Sequence, residues 1–359
     1  MAGGYGVSLS AFATIVASAA VAAIATALAI RYAHRRRLYD LPGQRRSHDV
    51  TTPRGGGIAI VVAMTAGGVA LAIQEGQSDC LPLLLPPFLG VAWVGWLDDH
   101  GGLSALKRLA MHVVAAAWVC AGPLLLSWAI PVPDTHLDVF AMIAAWVAMF
   151  AVVWSINLHN FMDGINGLLA WQAIFVFAAL AVLFAWREGD GAILCMACAA
   201  ACIGFLPFNF PRARVFMGDV GSGALGFAIA MAVVWQVAHD TIAAASGLVL
   251  CSAFATDATC TLLSRMLGGR RWYSAHREHL YQWLVRSGFS HARVVAFYMG
   301  WNVLVALPVA LYMNRTPQIP MPAGLTPAVA VYTLAVTAWW IGKRWCVRRV
   351  RERSAHAAA

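Results

Sequence analysis

Apolar runs of about 20 residues, each long enough to cross roughly 30 Å of hydrocarbon as a helix, recur from one end of this chain to the other and leave no stretch for a separate soluble domain. Of its 359 residues, 61% are hydrophobic and 11% charged, a balance that excludes a soluble globular domain and makes the bilayer the expected solvent. The first run, Val7 to Ile30, lacks a preceding basic region and a small-residue cleavage site, so it reads as a retained span rather than a cleaved signal.

Hydropathy predicts eleven spans, near 7–30, 55–74, 80–97, 109–130, 139–156, 168–186, 191–208, 223–238, 241–264, 294–313 and 325–342. Alternating sides then puts the connections 31–54, 98–108, 157–167, 209–222 and 265–293, with the tail from Lys343, on one face. All 25 Lys and Arg fall on that face except Arg187 and Arg315. Under the positive-inside rule it is the cytoplasmic face, with the N-terminus periplasmic and the C-terminus cytoplasmic. The expected fold is therefore all-α, a polytopic transmembrane bundle forming one integral-membrane domain over 1–359 in the bacterial inner membrane. The net charge of +9 needs no nucleic-acid partner, since the basic run Arg344 to Arg353 suits anionic lipid. Eight scattered cysteines do not suggest a secreted disulfide framework, and Cys195, Cys198 and Cys202, set among alanines in a spanning helix, read as small packing residues.

Four polar segments are too oddly composed to be mere connectors, and all four fall on the predicted cytoplasmic side. In Gly95-Trp96-Leu97-Asp98-Asp99 a span ends in adjacent carboxylates, with Lys107 and Arg108 soon after. Adjacent acids repel unless a divalent cation or a proton compensates, so they are candidates for metal binding or base catalysis, or else simply end a helix at water. The run from Asn157 through His159, Asn160, Asp163 and Gly164 to Asn166 and Gly167 offers amides and a carboxylate for a nucleobase, a ribose or a metal. From Asn209 to Gly223, Asp219 stands framed by glycines at a helix start, where it can hold a hard cation beside phosphate-facing N–H groups or serve as a cap. In Ser274 to Gln282, His276 and His279 are expected on one helix face, with Arg277 offered to phosphate. Four zinc ligands are lacking there, which favours anion binding or proton transfer.

A weaker element runs from Asp40 through Arg45, Arg46, Ser47 and His48 to Thr52-Pro53-Arg54-Gly55-Gly56-Gly57, a composition that suits a mobile phosphate-contacting loop. Asp257 is the one acid clearly inside a predicted span, a functional candidate or a partner for a cation such as Arg265.

Together, TPRGGG at 52–57, WLDD at 96–99, NLHNFMDGING at 157–167, VFMGDVGSGALG at 215–226 and HREHLYQ at 276–282 resemble, in order and over nearly the whole chain, the polyprenyl-phosphate N-acetylhexosamine-1-phosphate transferases. That family includes the muramoyl-pentapeptide translocase and the O-antigen initiating enzymes. The resemblance implies a Mg2+-dependent exchange, with Mn2+ able to substitute: undecaprenyl phosphate attacks the β-phosphorus of a UDP-N-acetylhexosamine, UMP leaves, and a lipid-diphosphate sugar forms. Clustered phosphate charges call for a divalent ion and a ring of cations.

Position by position, the resemblance makes Asp219 the metal ligand, with Asn160 close enough to contribute. Asp98 and Asp99 become the pair that activates the lipid phosphate or assists at the metal. Asn157, Asn160, Asp163 and Asn166 become the nucleotide-sugar segment, and His276, Arg277 and His279 the diphosphate-binding motif, with Arg54 and Lys107 as further phosphate contacts. Asn166 stands where many relatives have Asp, and HREH lacks the consecutive histidines of the pentapeptide translocase. Both departures, with the TPRGGG loop, pull toward the O-antigen and capsule branch, and a homodimer is compatible with the reading. The rival class is a secondary transporter of an anionic solute, which should carry its polar sites near the midplane instead of at one interface. An inactive scaffold is the third class, disfavoured by the full set of Asp, Asn and His.

Overall fold

A computed structural model describes residues 8–40, 51–129, 139–186, 191–239, 241–271, 276–315 and 323–358. Helices dominate: α1 (Leu9–Arg36), α2 (Ile58–Gln74), α3 (Leu81–Gly101), α4 (Ala105–Ala129), α5 (Val139–Met162), α6 (Leu168–Trp186), α7 (Gly191–Asn209), α8 (Asp219–His239), α9 (Thr241–Leu250), α10 (Ser252–Leu267), α11 (Leu280–Arg286), α12 (His291–Trp301), α13 (Leu307–Arg315) and α14 (Thr326–Ala358). The described sheet is one antiparallel pairing of β1 (Tyr39–Asp40) with β2 (Thr52–Pro53), in register Tyr39 to Pro53 and Asp40 to Thr52. Arg45, Arg46, Ser47, His48 and Ser274 lie outside the described residues.

Seven helical stretches among the described residues are long and apolar enough to cross a bilayer: Leu9–Arg36, Ser78–Gly101, Met142–Met162, Leu168–Trp186, Gly191–Asn209, Asp219–Gln236 and His291–Arg315. The last runs through α12, a π-helical turn at Asn302–Ala306 and α13. The chain is thus an all-α, polytopic membrane bundle. The predicted span 241–264 is not one helix, because the backbone breaks between Leu250 and Ser252. Broken backbone at membrane depth needs internal partners. Gln172 supplies one by donating to the Leu250 carbonyl, Asn302 donates to Gln172 at 2.7 Å, and the Trp301 indole donates to Ser252 Oγ. These side chains face one another across three helices, so no run of hydropathy along the chain reveals the break.

Helix α8 is the hub, packed by α3 and α5 and touching α2, α6 and α9. Membrane helices gain little from hydrophobic exclusion and associate through close backbone approach at small residues. A methyl on Gly95 of α3 would run into the Asp219 carbonyl and Val220 nitrogen, and one on Gly226 of α8 would stand 2.6 Å from the Ser155 carbonyl of α5. Cys195, Cys198 and Cys202 are buried free thiols in the apolar core of α7, in keeping with packing residues.

Candidate active site

The site is assembled on the start of α8. Segment 53–57 is zipped to 216–217 by backbone bonds: Phe216 N–H donates to the Pro53 carbonyl, Gly56 N–H to Phe216 and Gly57 N–H to Met217, all within 2.8–2.9 Å. A Cβ at Gly57 would collide with the backbone of Gly221. The glycine run therefore permits backbone contact in a fixed segment, which corrects the expectation of a mobile loop at 52–57; Thr52 and Pro53 are buried.

This brings Arg54 to the end of α3, where the adjacent acids have different surroundings. Asp99, its side chain 1% exposed, accepts Arg54 Nε at 3.2 Å and Nη2 at 2.8 Å, and also the N–H groups of Asp219 and Val220 at 3.1 and 3.2 Å. It caps α8 from another helix, and Gly218, at φ +76°, leaves no room for a side chain beside it. Asp98 is 13% exposed, accepts Leu103 N–H and Arg108 Nη1, and lies within hydrogen-bonding reach of Asp219. The same Arg108 Nη1 reaches Asp219 Oδ2 at 2.6 Å and Asp98 Oδ2 at 2.9 Å. One cationic nitrogen thus bridges carboxylates from two helices.

The end of α5 closes a third side. Asn160 donates to Ser222 Oγ at 3.1 Å, and Asp163 accepts the Gly218 N–H. Burial, with the charges of Asp219 and Asp99, pushes the Asp163 carboxyl up to about 8 against that bond. A negative cluster this crowded is short of positive charge. Asn157 bonds His112 of α4 and the Val153 carbonyl, and Asn166 donates to the Pro211 carbonyl.

Segment 276–282 closes the fourth side. His276 and His279 do not share a helix face as expected; they precede α11, with His279 as its N-cap and Gln282 accepting the His279 N–H. Their rings stand 4.9 Å apart in centroid, and His279 lies against Phe161 and Tyr281. Burial and the neighbouring His279 hold His276 down at about 4, and burial lowers His279 as well. Both rings are then neutral at pH 7, so charge for an anion here comes from Arg277. Tyr281 Oη donates to the Phe161 carbonyl at 3.0 Å and fills the space beside Gly164.

Arg108 is the cation at the carboxylates, and its neighbour Lys107 is exposed on the first turn of α4. Only the tertiary meeting of α3, α4 and α8 tells the two apart. Among the described residues no three His, Cys, Asp or Glu side chains form a ready metal cage. Mg2+ needs no such cage, since it is typically held by one or two carboxylates with waters and substrate phosphates. Asp98 and Asp219, already sharing one cation, fit that donor set.

Over 348 residues, 87% of this chain and 86% of the relative, the chain is 30% identical to the decaprenyl-phosphate N-acetylglucosaminephosphotransferase of Mycobacterium leprae (strain TN). It is also 30% identical, over 329 residues covering 82% of this chain and 80% of the relative, to the protein of that name from Mycobacterium tuberculosis (strain ATCC 25618 / H37Rv). Residues 81–237 match the sequence model of Glycosyl transferase family 4. The chain belongs to this family, the polyprenyl-phosphate hexosamine-1-phosphate transferases.

A further member, the phospho-N-acetylmuramoyl-pentapeptide-transferase of Shouchella clausii (strain KSM-K16), is 37% identical over 196 residues, half of this chain and 59% of the relative. The family segment 81–237 contains Asp98, Asp99, Asn157, Asn160, Asp163, Asn166 and Asp219. Arg54 and the 276–282 strap lie outside it, yet both bond into it through Asp99 and Phe161.

Proposed function

We propose that this member of the family transfers an N-acetylhexosamine-1-phosphate from a UDP-sugar to undecaprenyl phosphate, releasing UMP and starting a surface polysaccharide such as an O-antigen. The observation that carries the reading is the Asp98–Arg108–Asp219 bridge, two acids from separate helices gathered around one cation where the family motifs converge. The relatives named for decaprenyl-phosphate N-acetylglucosamine transfer support the phosphosugar and the prenyl acceptor.

A bound Mg2+, or Mn2+ in its place, would supply neutralisation of the phosphate charges. Asp219 and Asp98 would hold it, with Asn160 beside them. Asp99, buried and held by Arg54 and two backbone N–H groups, keeps α3 and α8 in register, so the base role of the pair falls to the more exposed Asp98. Arg54, Lys107, Arg108 and Arg277 face the phosphates with positive charge. Asn157, Asp163 and Asn166 take the nucleotide-sugar side, and the neutral His276 and His279 stand ready to pass a proton at the diphosphate. The test incubates the full chain in membranes with undecaprenyl phosphate and a panel of UDP-sugars, reading UMP and lipid mass. A lipid-diphosphate sugar from a UDP-N-acetylhexosamine is expected, and no product from any sugar overturns the reading.

The proposed topology has eleven crossings, with the site at the cytoplasmic face of the inner membrane. A reporter active only in the periplasm and fused after Gln282 is expected to stay silent, whereas bright signal reverses the orientation.

Asp163 gives a check on the metal that does not need turnover. Its pKa is raised above the unfolded value near 3.9, so the folded state holds the proton more tightly and stability falls as pH rises through about 8. In chelator, the melting temperature is expected to drop between pH 5 and 8, Asp163→Asn to flatten that drop, and Mg2+ to restore stability at pH 8. A melting temperature that rises over this range contradicts the charge crowding.

A further inference from the structure

Asp257 was a candidate partner for Arg265, but Arg265 pairs with Glu278 instead. The Asp257 carboxylate is 2% exposed and accepts from five donors. Oδ1 takes the Leu280 N–H at 2.7 Å, the Trp339 indole N–H at 3.0 Å and Thr261 Oγ1 at 3.2 Å; Oδ2 takes the Tyr298 hydroxyl at 2.6 Å and the Tyr281 N–H at 3.2 Å. The donors come from α10, α11, α12 and α14. A buried carboxylate is tolerable only with such a set, and the set in turn fixes every group that makes it.

The fixed groups lead straight to the site. Leu280 and Tyr281 carry the end of the strap that bears His276, Arg277 and His279, and His279 Nδ1 stands 3.8 Å from Asp257 Oδ1. Tyr281, held by its N–H, reaches the Phe161 carbonyl with its hydroxyl and covers Gly164, the residues on either side of Met162 and Asp163. Asp257 therefore sets both the place of the strap and its spacing from the end of α5. Trp339 extends the same hold to the last helix, where Lys343 lies 4.5 Å over its ring.

We propose that Asp257 is a positioning residue for the transfer reaction: through Leu280, Tyr281, Tyr298 and Trp339 it holds the His276–His279 strap against the α5 end, and thereby makes α14 part of the site. This rests on the proposed function, because the reaction it serves is the one argued there. Asp257→Asn keeps the shape but turns an amide N–H toward N–H donors, which displaces the strap by a fraction of an ångström; misplacements of about 1 Å reduce turnover by roughly 100-fold. Tyr298→Phe and Trp339→Phe each remove one donor and leave the carboxylate, for an expected loss of about tenfold each.

The test is a double-mutant cycle on the full chain in membranes, with kcat and KM measured for Asp257→Asn, Arg277→Ala and the pair. A residue acting through the strap has little left to lose once Arg277 is gone, so the double variant should lie within about tenfold of the worse single variant. Losses that multiply, about 100-fold by about 100-fold, mark Asp257 as a general fold anchor and overturn the proposal. Should Asp257→Asn fail to accumulate in the membrane, Tyr298→Phe and Trp339→Phe run the same cycle: a double variant within about twofold of Arg277→Ala alone supports the proposal, and a further loss of about tenfold overturns it. An unmutated chain without turnover on any UDP-sugar sinks the underlying function; normal turnover with multiplying losses sinks only the role of Asp257.

Discussion

Replacing Asp219 by Asn is expected to reduce Mg2+-dependent UMP release by at least about 10³-fold, near 4 kcal/mol of transition-state stabilisation, while the protein still inserts and melts no lower than before. The substitution keeps the side-chain shape at the first position of α8 and an acceptor for Arg108, so the fold loses little. What goes is the negative charge. In a cluster where Asp98, Asp99 and Asp163 already crowd Asp219, that loss relieves repulsion in the metal-free protein and weakens the hold on a divalent ion. Activity and stability should therefore part company: turnover collapses and the melting temperature holds or rises. Turnover within tenfold of the unmutated chain removes Asp219 from the metal.

Gly95→Ala is expected to lower turnover by roughly 100-fold through geometry alone. Gly95 lies one turn before Asp98 and Asp99 on α3, and a methyl there meets the backbone of Asp219 and Val220 instead of a side chain able to swing away. Helix α3 must back off from α8, and the Asp98 and Asp99 carboxylates move with it. Gly90→Ala, on the same helix with nothing within 4 Å of its added methyl, supplies the control and should leave turnover unchanged. Helix propensity favours Ala at both positions, so a difference between them measures the close approach and nothing else. Equal activity in the two variants contradicts the packing described for α3 on α8.

The helices were legible because hydrocarbon demands long apolar runs, and most predicted spans return as helices with ends shifted by a few residues. The gathering of the motifs was legible as well: Asp98 and Asp219, more than a hundred positions apart, meet at Arg108. What escaped depends on partners distant in sequence. The break at Leu250–Ser252 is sustained by Gln172, Asn302 and Trp301, none of which is near it along the chain. His276 and His279 have helical spacing, yet the Asp257 carboxylate accepts the first N–H groups of α11 and starts that helix only after them. Lys107 and Arg108 are equivalent by composition, and only the direction of the first turn of α4 aims one at the acids. TPRGGG read as flexible because glycine permits both motion and close contact, and the composition of a segment does not say which is used.

Where the β-phosphorus goes is the question on which the whole account turns. With UDP-N-acetylglucosamine labelled at the β-phosphate and undecaprenyl phosphate as acceptor, the label should pass to the lipid together with the sugar, and the nucleotide released should be unlabelled UMP. Label retained in released UDP, with the bare sugar on the lipid, would contradict phosphosugar transfer and the site built for it.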